Sequence, residues 1–158
     1  MLLIKSSQTQ ALTAIMAEAT HTSSPECNCA VLRKAARRIS NYYDSELAVA
    51  GLRATQFAIL AMVNREGEVT VNSIAGRLEL DRTTAGKNLR PLEAAKLIRI
   101  ARSKNDRRAR AISLTPAGQA VFEQAVPLWR RAQTRFETLN GKENAAQLRA
   151  LLKDLKTA

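Results

Sequence analysis

A chain of 158 residues accommodates one domain with a real core, or one small domain with an extension, and has no room for two large domains. Its hydrophobic content of 46%, with only 6 Gly and 4 Pro, is that of a globular protein. No apolar run approaches the roughly 20 residues of a membrane span, and the formal charge of +11 favours a polyanionic partner such as nucleic acid or an acidic surface.

The amino-terminal MLLIKSSQTQ turns polar before a secretory apolar region can form, so a cytoplasmic protein is expected. Ala11 to Ala19 is a short candidate helix, and THTSSPE after it has the composition of a linker. From about Asn28 to Val49 the pattern is helical, with Leu32, Ala35, Ala36, Ile39, Tyr43 and Leu47 on one face and Gly51 at the end. Thr55 is the expected cap of a second helix reaching Arg65, and its FAILAMV stretch is apolar all round and therefore expected to be buried on several sides. Gly67 closes it. A third, short helix is expected after Asn72, over SIAGRLEL.

The next helix, DRTTAGKNLRPLE, opens on Asp81 as N-cap and carries Ala85, Leu89 and Leu92 at the spacing of one helical face. Gly86 and Pro91 inside it cost roughly 1 and 3 kcal/mol relative to Ala, so tertiary burial must hold it. A bend or an early end of its reading portion is expected at Pro91, and Gly86 allows DNA or a neighbouring helix to come close. Thr83, Lys87 and Arg90 cluster opposite the apolar stripe. Two short helices joined by a few residues form the helix-turn-helix pattern.

In LIRIARSKNDRRARAISLT, Ile98, Ile100, Ile112 and Leu114 alternate on either side of a basic turn, which predicts a hairpin with its charge at the tip. Between Arg82 and Arg110 ten Lys or Arg stand against Glu93 and Asp106, so these 29 residues carry +8 of the +11. Thr115 and Pro116 form an N-cap and N1 pair starting a long helix, with Val121, Ala125, Leu128, Ala132, Phe136 and Leu139 near one face. Asn140 and Gly141 stop it. A last helix places Leu148, Leu151, Leu152 and Leu155 on a stripe too short to be stable alone, which calls for a partner surface.

The expected fold is mainly α with a small β-hairpin wing: a winged helix-turn-helix whose second helix enters the major groove while the wing reaches the adjacent minor groove. Arg82, Thr83, Thr84, Lys87, Asn88 and Arg90 are the candidate contacts from the helix, and Lys104, Arg107, Arg108 and Arg110 those from the wing. Arg108 is the expected groove-inserting residue, with Asp106 orienting a neighbouring Arg. For an isolated charged helix a solvated basic surface is the better explanation; the short helix before it and the basic hairpin after it reverse that in favour of DNA.

The run from about Asn28 to Leu155 resembles the MarR family of winged helix-turn-helix transcription regulators, through LRATQFAILAMV, VNSIAGRLELDRTTAGKNLRPLEAAKLI and the wing NDRRARAISLTPAG with its Asp106-x-Arg108 core. The resemblance implies a homodimer with intertwined terminal helices on a pseudo-palindromic operator, and repression relieved by a small molecule or by oxidation. Accordingly, residues 1–27 are expected to be an extension, 28–52 a dimerisation helix, 53–115 the DNA-binding domain and 116–158 further dimerisation helices. An effector pocket is expected between the dimer helices and the DNA-binding core, with Arg38, Tyr42, Tyr43, Phe57, Met62 and Trp129 as candidates and Phe122 nearby; plain core packing explains any one of them equally.

Cys27 and Cys29, in ECNC near a helix amino end, admit three readings: helix-entry residues, a redox switch, or half of a metal site pooled across two subunits. No metal or cofactor is assigned. A non-specific architectural DNA-binding protein is the competing function, distinguished by its lack of sequence preference. Catalysis has little support: His21 is the only His, no Gly-rich phosphate motif occurs, and no base is visibly placed near the thiols.

Overall fold

In the computed structural model residues 27–102 and 110–156 are described, and the chain divides into two units, 1–40 and 41–158. Helix α1 (Asn28–Leu47) begins in the first unit, where the Val31 amide donates to the Cys27 carbonyl at 3.0 Å and Val31 and Leu32 are exposed. Its last turn, in the second unit, buries Leu47. A 3-10 turn, Ala48–Ala50, follows and stops at Gly51, whose φ of +70° suits a residue without Cβ.

Helix α2 (Ala54–Glu66) starts one residue before Thr55, which is therefore not its cap. The Ala54 amide donates to Asp44 Oδ1 at 2.7 Å and the Arg53 amide to Gln56 Oε1 at 2.9 Å, so a carboxylate on α1 satisfies the helix end that Thr55 was expected to serve. Phe57, Ile59, Leu60, Met62 and Val63 are buried, as the all-round apolar pattern requires.

Strand β1 (Val69–Thr70) leads directly into α3 (Val71–Arg77), whose cap is Thr70: its hydroxyl accepts from the Ser73 amide at 3.1 Å. The helix thus starts earlier than Asn72 suggested and ends at Arg77, because the Leu80 amide turns back to the Ala75 carbonyl at 2.8 Å, with Glu79 at a positive φ of 50°. Helix α4 (Arg82–Ala94) follows. Strands β2 (Ile98–Arg102) and β3 (Arg110–Leu114) pair antiparallel with Ile98 opposite Leu114 and Ile100 opposite Ile112. The expected two-stranded hairpin is extended by β1, giving the order β1-β3-β2. Two residues are too few to show an alternating pattern, which is why β1 was not legible.

Helix α5 (Pro116–Asn140) has the expected cap, Thr115 accepting from the Gly118 amide at 3.0 Å, and α6 is Lys142–Lys153. The Thr115 hydroxyl also donates to the Lys96 carbonyl at 2.7 Å, and its amide to the Leu97 carbonyl at 3.1 Å, which ties the start of α5 to the α4–β2 turn. Contacts of α2 with α4, α5, β1 and β3 centre the core of the second unit on α2. Leu151 and Leu152 on α6, and Leu155 beyond it, are exposed, so nothing described in this chain covers the last apolar stripe.

At Gly118 an added Cβ would lie 1.8 Å from the Leu97 carbonyl oxygen, so backbone would have to move. Gly118→Ala is expected to lower stability by roughly 1 to 3 kcal/mol, the usual cost of overpacking. A urea-unfolding midpoint equal to that of the unsubstituted protein would contradict this contact.

Candidate nucleic-acid interface

Helix α4 exists against its own propensity because its apolar stripe is buried: Ala85, Leu89 and Leu92 are 0%, 2% and 1% exposed. Each Leu contributes roughly 1.5 to 3 kcal/mol by burial, comparable with the Gly and Pro penalties. Asp81 completes the start, its Oδ1 accepting from the Thr84 amide at 2.8 Å and its Oδ2 from the Thr84 hydroxyl at 2.6 Å. Those bonds, the hydroxyl's first, hold the Asp81 carboxyl below its usual range. The cap is therefore ionised at neutral pH.

The helix does not end early at Pro91 but runs to Ala94. Its final turn is closed by the Ala95 amide on the Pro91 carbonyl at 3.0 Å and the Leu97 amide on the Leu92 carbonyl at 2.9 Å, with Leu92 anchored in the core one residue past the proline. At Gly86 an added Cβ would meet no atom of the described chain within 4 Å, so no neighbouring helix of this chain explains the glycine.

With the stripe facing inward, Arg82, Thr83, Lys87 and Arg90 are exposed. The other two candidates on α4 are half-buried and already bonded: the Thr84 hydroxyl serves the Asp81 cap, and Asn88 Nδ2 donates to the Thr84 carbonyl at 2.9 Å. Lys104, Asp106, Arg107 and Arg108 lie outside the described residues. Arg110 is exposed at the start of β3, directly opposite Arg102 at the end of β2. Two like charges in register repel, and an anion between them relieves that repulsion.

Of the pocket candidates, Tyr43, Phe57, Met62 and Trp129 line one cavity of about 330 Å³, together with Ala54, Ala58, Ala61 and Arg65. Phe57 stacks on Trp129 and on Phe122, with centroids 5.8 and 5.6 Å apart. Tyr42 does not line it; its hydroxyl donates to the Ala132 carbonyl at 3.2 Å. Arg38 is exposed and belongs to the first unit. The Tyr43 hydroxyl donates to Gln133 Oε1 at 2.6 Å, and burial, then the neighbouring Tyr42 and Glu137, push its pKa up. Arg65 was missed from the sequence although it shares the i, i+4, i+8 face of Phe57 and Ala61, because an Arg near a helix end is ordinarily solvated.

Cys27 and Cys29 are free and exposed, and both line a hollow of about 410 Å³ with Arg33, Lys34 and Arg37. Among the described residues no group of three or more His, Cys, Asp or Glu is placed to hold a metal ion. No single helix among them is long and apolar enough to cross a membrane.

The model of the MarR family matches residues 50–109, the segment from the end of the 3-10 turn to the residue before β3. No curated protein matches the chain. Among solved structures, the transcriptional regulator MosR of Mycobacterium tuberculosis in complex with DNA is 34% identical, with a TM-score of 0.67 over 82% of this chain and 100% of that one. BpsR of Bordetella bronchiseptica, whose DNA binding is regulated by 6-hydroxynicotinic acid, is 26% identical, with a TM-score of 0.71 over 84% of this chain and 97% of that one. The transcriptional repressor CouR, bound to a 23-mer DNA duplex, is also 26% identical, with a TM-score of 0.74 over 84% of this chain and 94% of that one. The capped α3–α4 pair, the expected antiparallel hairpin and these likenesses over most of each chain place the protein in the MarR family of transcription regulators.

Proposed function

We propose that the protein is a sequence-specific repressor of transcription, a cytoplasmic homodimer released from a pseudo-palindromic operator by a small-molecule ligand. The observation that carries this reading is the two-faced α4: Ala85, Leu89 and Leu92 in the core, and Arg82, Thr83, Lys87 and Arg90 exposed together. Arg and Lys donate to guanine O6 and N7, and a Thr methyl packs on thymine. In this reading Gly86 leaves room for DNA, Thr84 and Asn88, expected as DNA contacts, stiffen the helix instead, and the wing residues Lys104, Arg107, Arg108 and Arg110 grip the flanking groove, with Asp106 orienting a neighbouring Arg.

The exposed stripe of Leu148, Leu151, Leu152 and Leu155, with Val31 and Leu32 at the other end of the chain, supports a two-fold seam between copies. The aromatic cavity supports the effector. Its volume suits a small aromatic acid, with the ring lying against the stacked Phe57 and Trp129 and the carboxylate displacing Glu66 from Arg65. BpsR's response to 6-hydroxynicotinic acid is the same chemistry. A second reading, that Cys27 and Cys29 sense oxidants, is favoured by the exposure of both thiols in one hollow. In that case peroxide takes two electrons and two protons from the pair, forming one disulfide and two waters.

Selection of bound fragments from genomic DNA is expected to yield a palindrome with half-sites one helical turn apart or a multiple of it, and Lys87→Ala to relax one base position by roughly 1 to 3 kcal/mol. Binding without any enriched sequence would instead favour an architectural protein. Leu151→Asp with Leu152→Asp is expected to give monomers in sedimentation and to cut operator affinity at least tenfold; a variant that stayed dimeric would refute the seam. Release of bound duplex separates the signals: aromatic acids should quench Trp129, the one tryptophan, and release DNA equally from unsubstituted and Cys27→Ser, Cys29→Ser proteins. Release by peroxide that vanished in the double variant would assign the signal to the thiols.

A further inference from the structure

One hollow of the described residues lies apart from the aromatic cavity and takes in the side of α4 that carries Lys87 and Asn88. It is a groove of about 870 Å³ between the flank of α4 and the corner where α1 ends and α2 begins. Lys87 and Asn88 form one wall; Arg53 and Gln56, from the start of α2, belong to the other, with Asp44 among the lining residues. Arg53 and Lys87 are exposed at the rim, whereas Asp44, Gln56 and Asn88 are half-buried below it.

We infer that Arg53 is a second anchor for DNA, holding backbone phosphate across this groove from Lys87. The inference rests on the DNA-binding reading of α4 and adds a contact from outside the helix-turn-helix and the wing. A helix about 10 to 12 Å across nearly fills a major groove about 12 Å wide, so a sugar-phosphate strand runs along each flank. The flank carrying Asn88 opens onto this groove, and the strand on that side passes between Lys87 and Arg53.

Two features fit Arg53 for the task. Its backbone is fixed, the amide bonded to Gln56 Oε1 at 2.9 Å and the next amide to Asp44 Oδ1 at 2.7 Å, so the side chain leaves from a rigid base. Its guanidinium makes no hydrogen bond or ion pair among the described residues, unlike Arg65, Arg77, Arg131 and Arg149, each of which meets a carboxylate. Asp44 does not cancel the site: its carboxylate is bonded to the Ala54 amide at 2.7 Å below the rim, which confines an anion to the rim between the two cations. Phosphate contacts of this kind carry affinity and register without reading sequence.

The test uses the full chain and a mixed-sequence duplex of about 30 base pairs, with affinity measured by fluorescence anisotropy from roughly 50 to 200 mM salt. Arg53→Ala is expected to reduce the slope of log affinity against log salt by about 0.9 per bound subunit, and Arg53→Lys to retain it. The unfolding midpoint of both variants should match the unsubstituted protein, because the bonds that start α2 are made by the backbone and by other side chains. An Arg53→Ala slope equal to the unsubstituted one would overturn the anchor and leave the role of α4 standing. A slope lost equally in Arg53→Lys would also overturn it, since the charge would not be the agent. No duplex binding by the unsubstituted protein would remove the DNA-binding reading itself, and the anchor with it.

Discussion

The burial of Ala85, Leu89 and Leu92 is the interaction on which the surface proposed to face DNA depends. A helix containing Gly86 and Pro91 is too weak to persist on propensity alone, and at 13 residues it would be marginal even with better ones. Docking against α2, α3 and β2 supplies what the backbone lacks, and it also fixes rotation about the helix axis. Once those three side chains point inward, Thr83, Lys87 and Arg90 have no choice but to point outward. The Asp81 cap sets where the first turn begins, and Leu92 secures the last turn beyond the proline.

The same helix is bounded by close backbone contacts that leave little freedom. Behind it, Thr115 bridges the α4–β2 turn to α5, and Gly118 lets α5 approach the Leu97 carbonyl more closely than any side chain permits. On its flank, the start of α2 is pinned by Asp44. These contacts connect α4 with the helices that line the aromatic cavity, since Phe57 and Arg65 sit on α2 and Trp129 on α5. From Tyr43 a hydrogen-bonded series continues through Gln133 and Glu137 to Arg149 on α6, with distances of 2.6, 2.9 and 3.1 Å. Cavity and terminal helix therefore share a polar link.

What the sequence disclosed was whatever depended on local periodicity. The α4 stripe, the Asp81 and Thr115 caps, the stops at Gly51, Gly67 and Gly141, and the alternation within each strand of the hairpin all follow from spacing within a dozen or so residues, the reach of such patterns. What it concealed depended on groups distant in the chain. Thr55 looked like a cap because Asp44, on another helix, could not be seen to take the task, and β1 is a strand only because Val69 finds Ile112. A bend or an early end of the reading portion was expected at Pro91 because propensity says nothing about how firmly Leu92 is held. For the candidate site, the exposure of Arg82, Thr83, Lys87 and Arg90 was legible from helical spacing, whereas the diversion of Thr84 and Asn88 to bonds within the helix and its cap, and the grouping of Arg65 with the aromatic residues, required three dimensions.

Methylation interference tests the central claim, that the exposed face of α4 lies in the major groove, most directly. Guanine N7 is exposed only there, and it is an acceptor that Arg82, Lys87 or Arg90 would use. With an operator obtained by selection, methylation of guanine N7 within the half-sites is expected to abolish binding, while methylation of adenine N3 there, in the minor groove, leaves it largely intact. Binding that tolerated N7 methylation throughout both half-sites would contradict the assignment of α4 as the recognition helix.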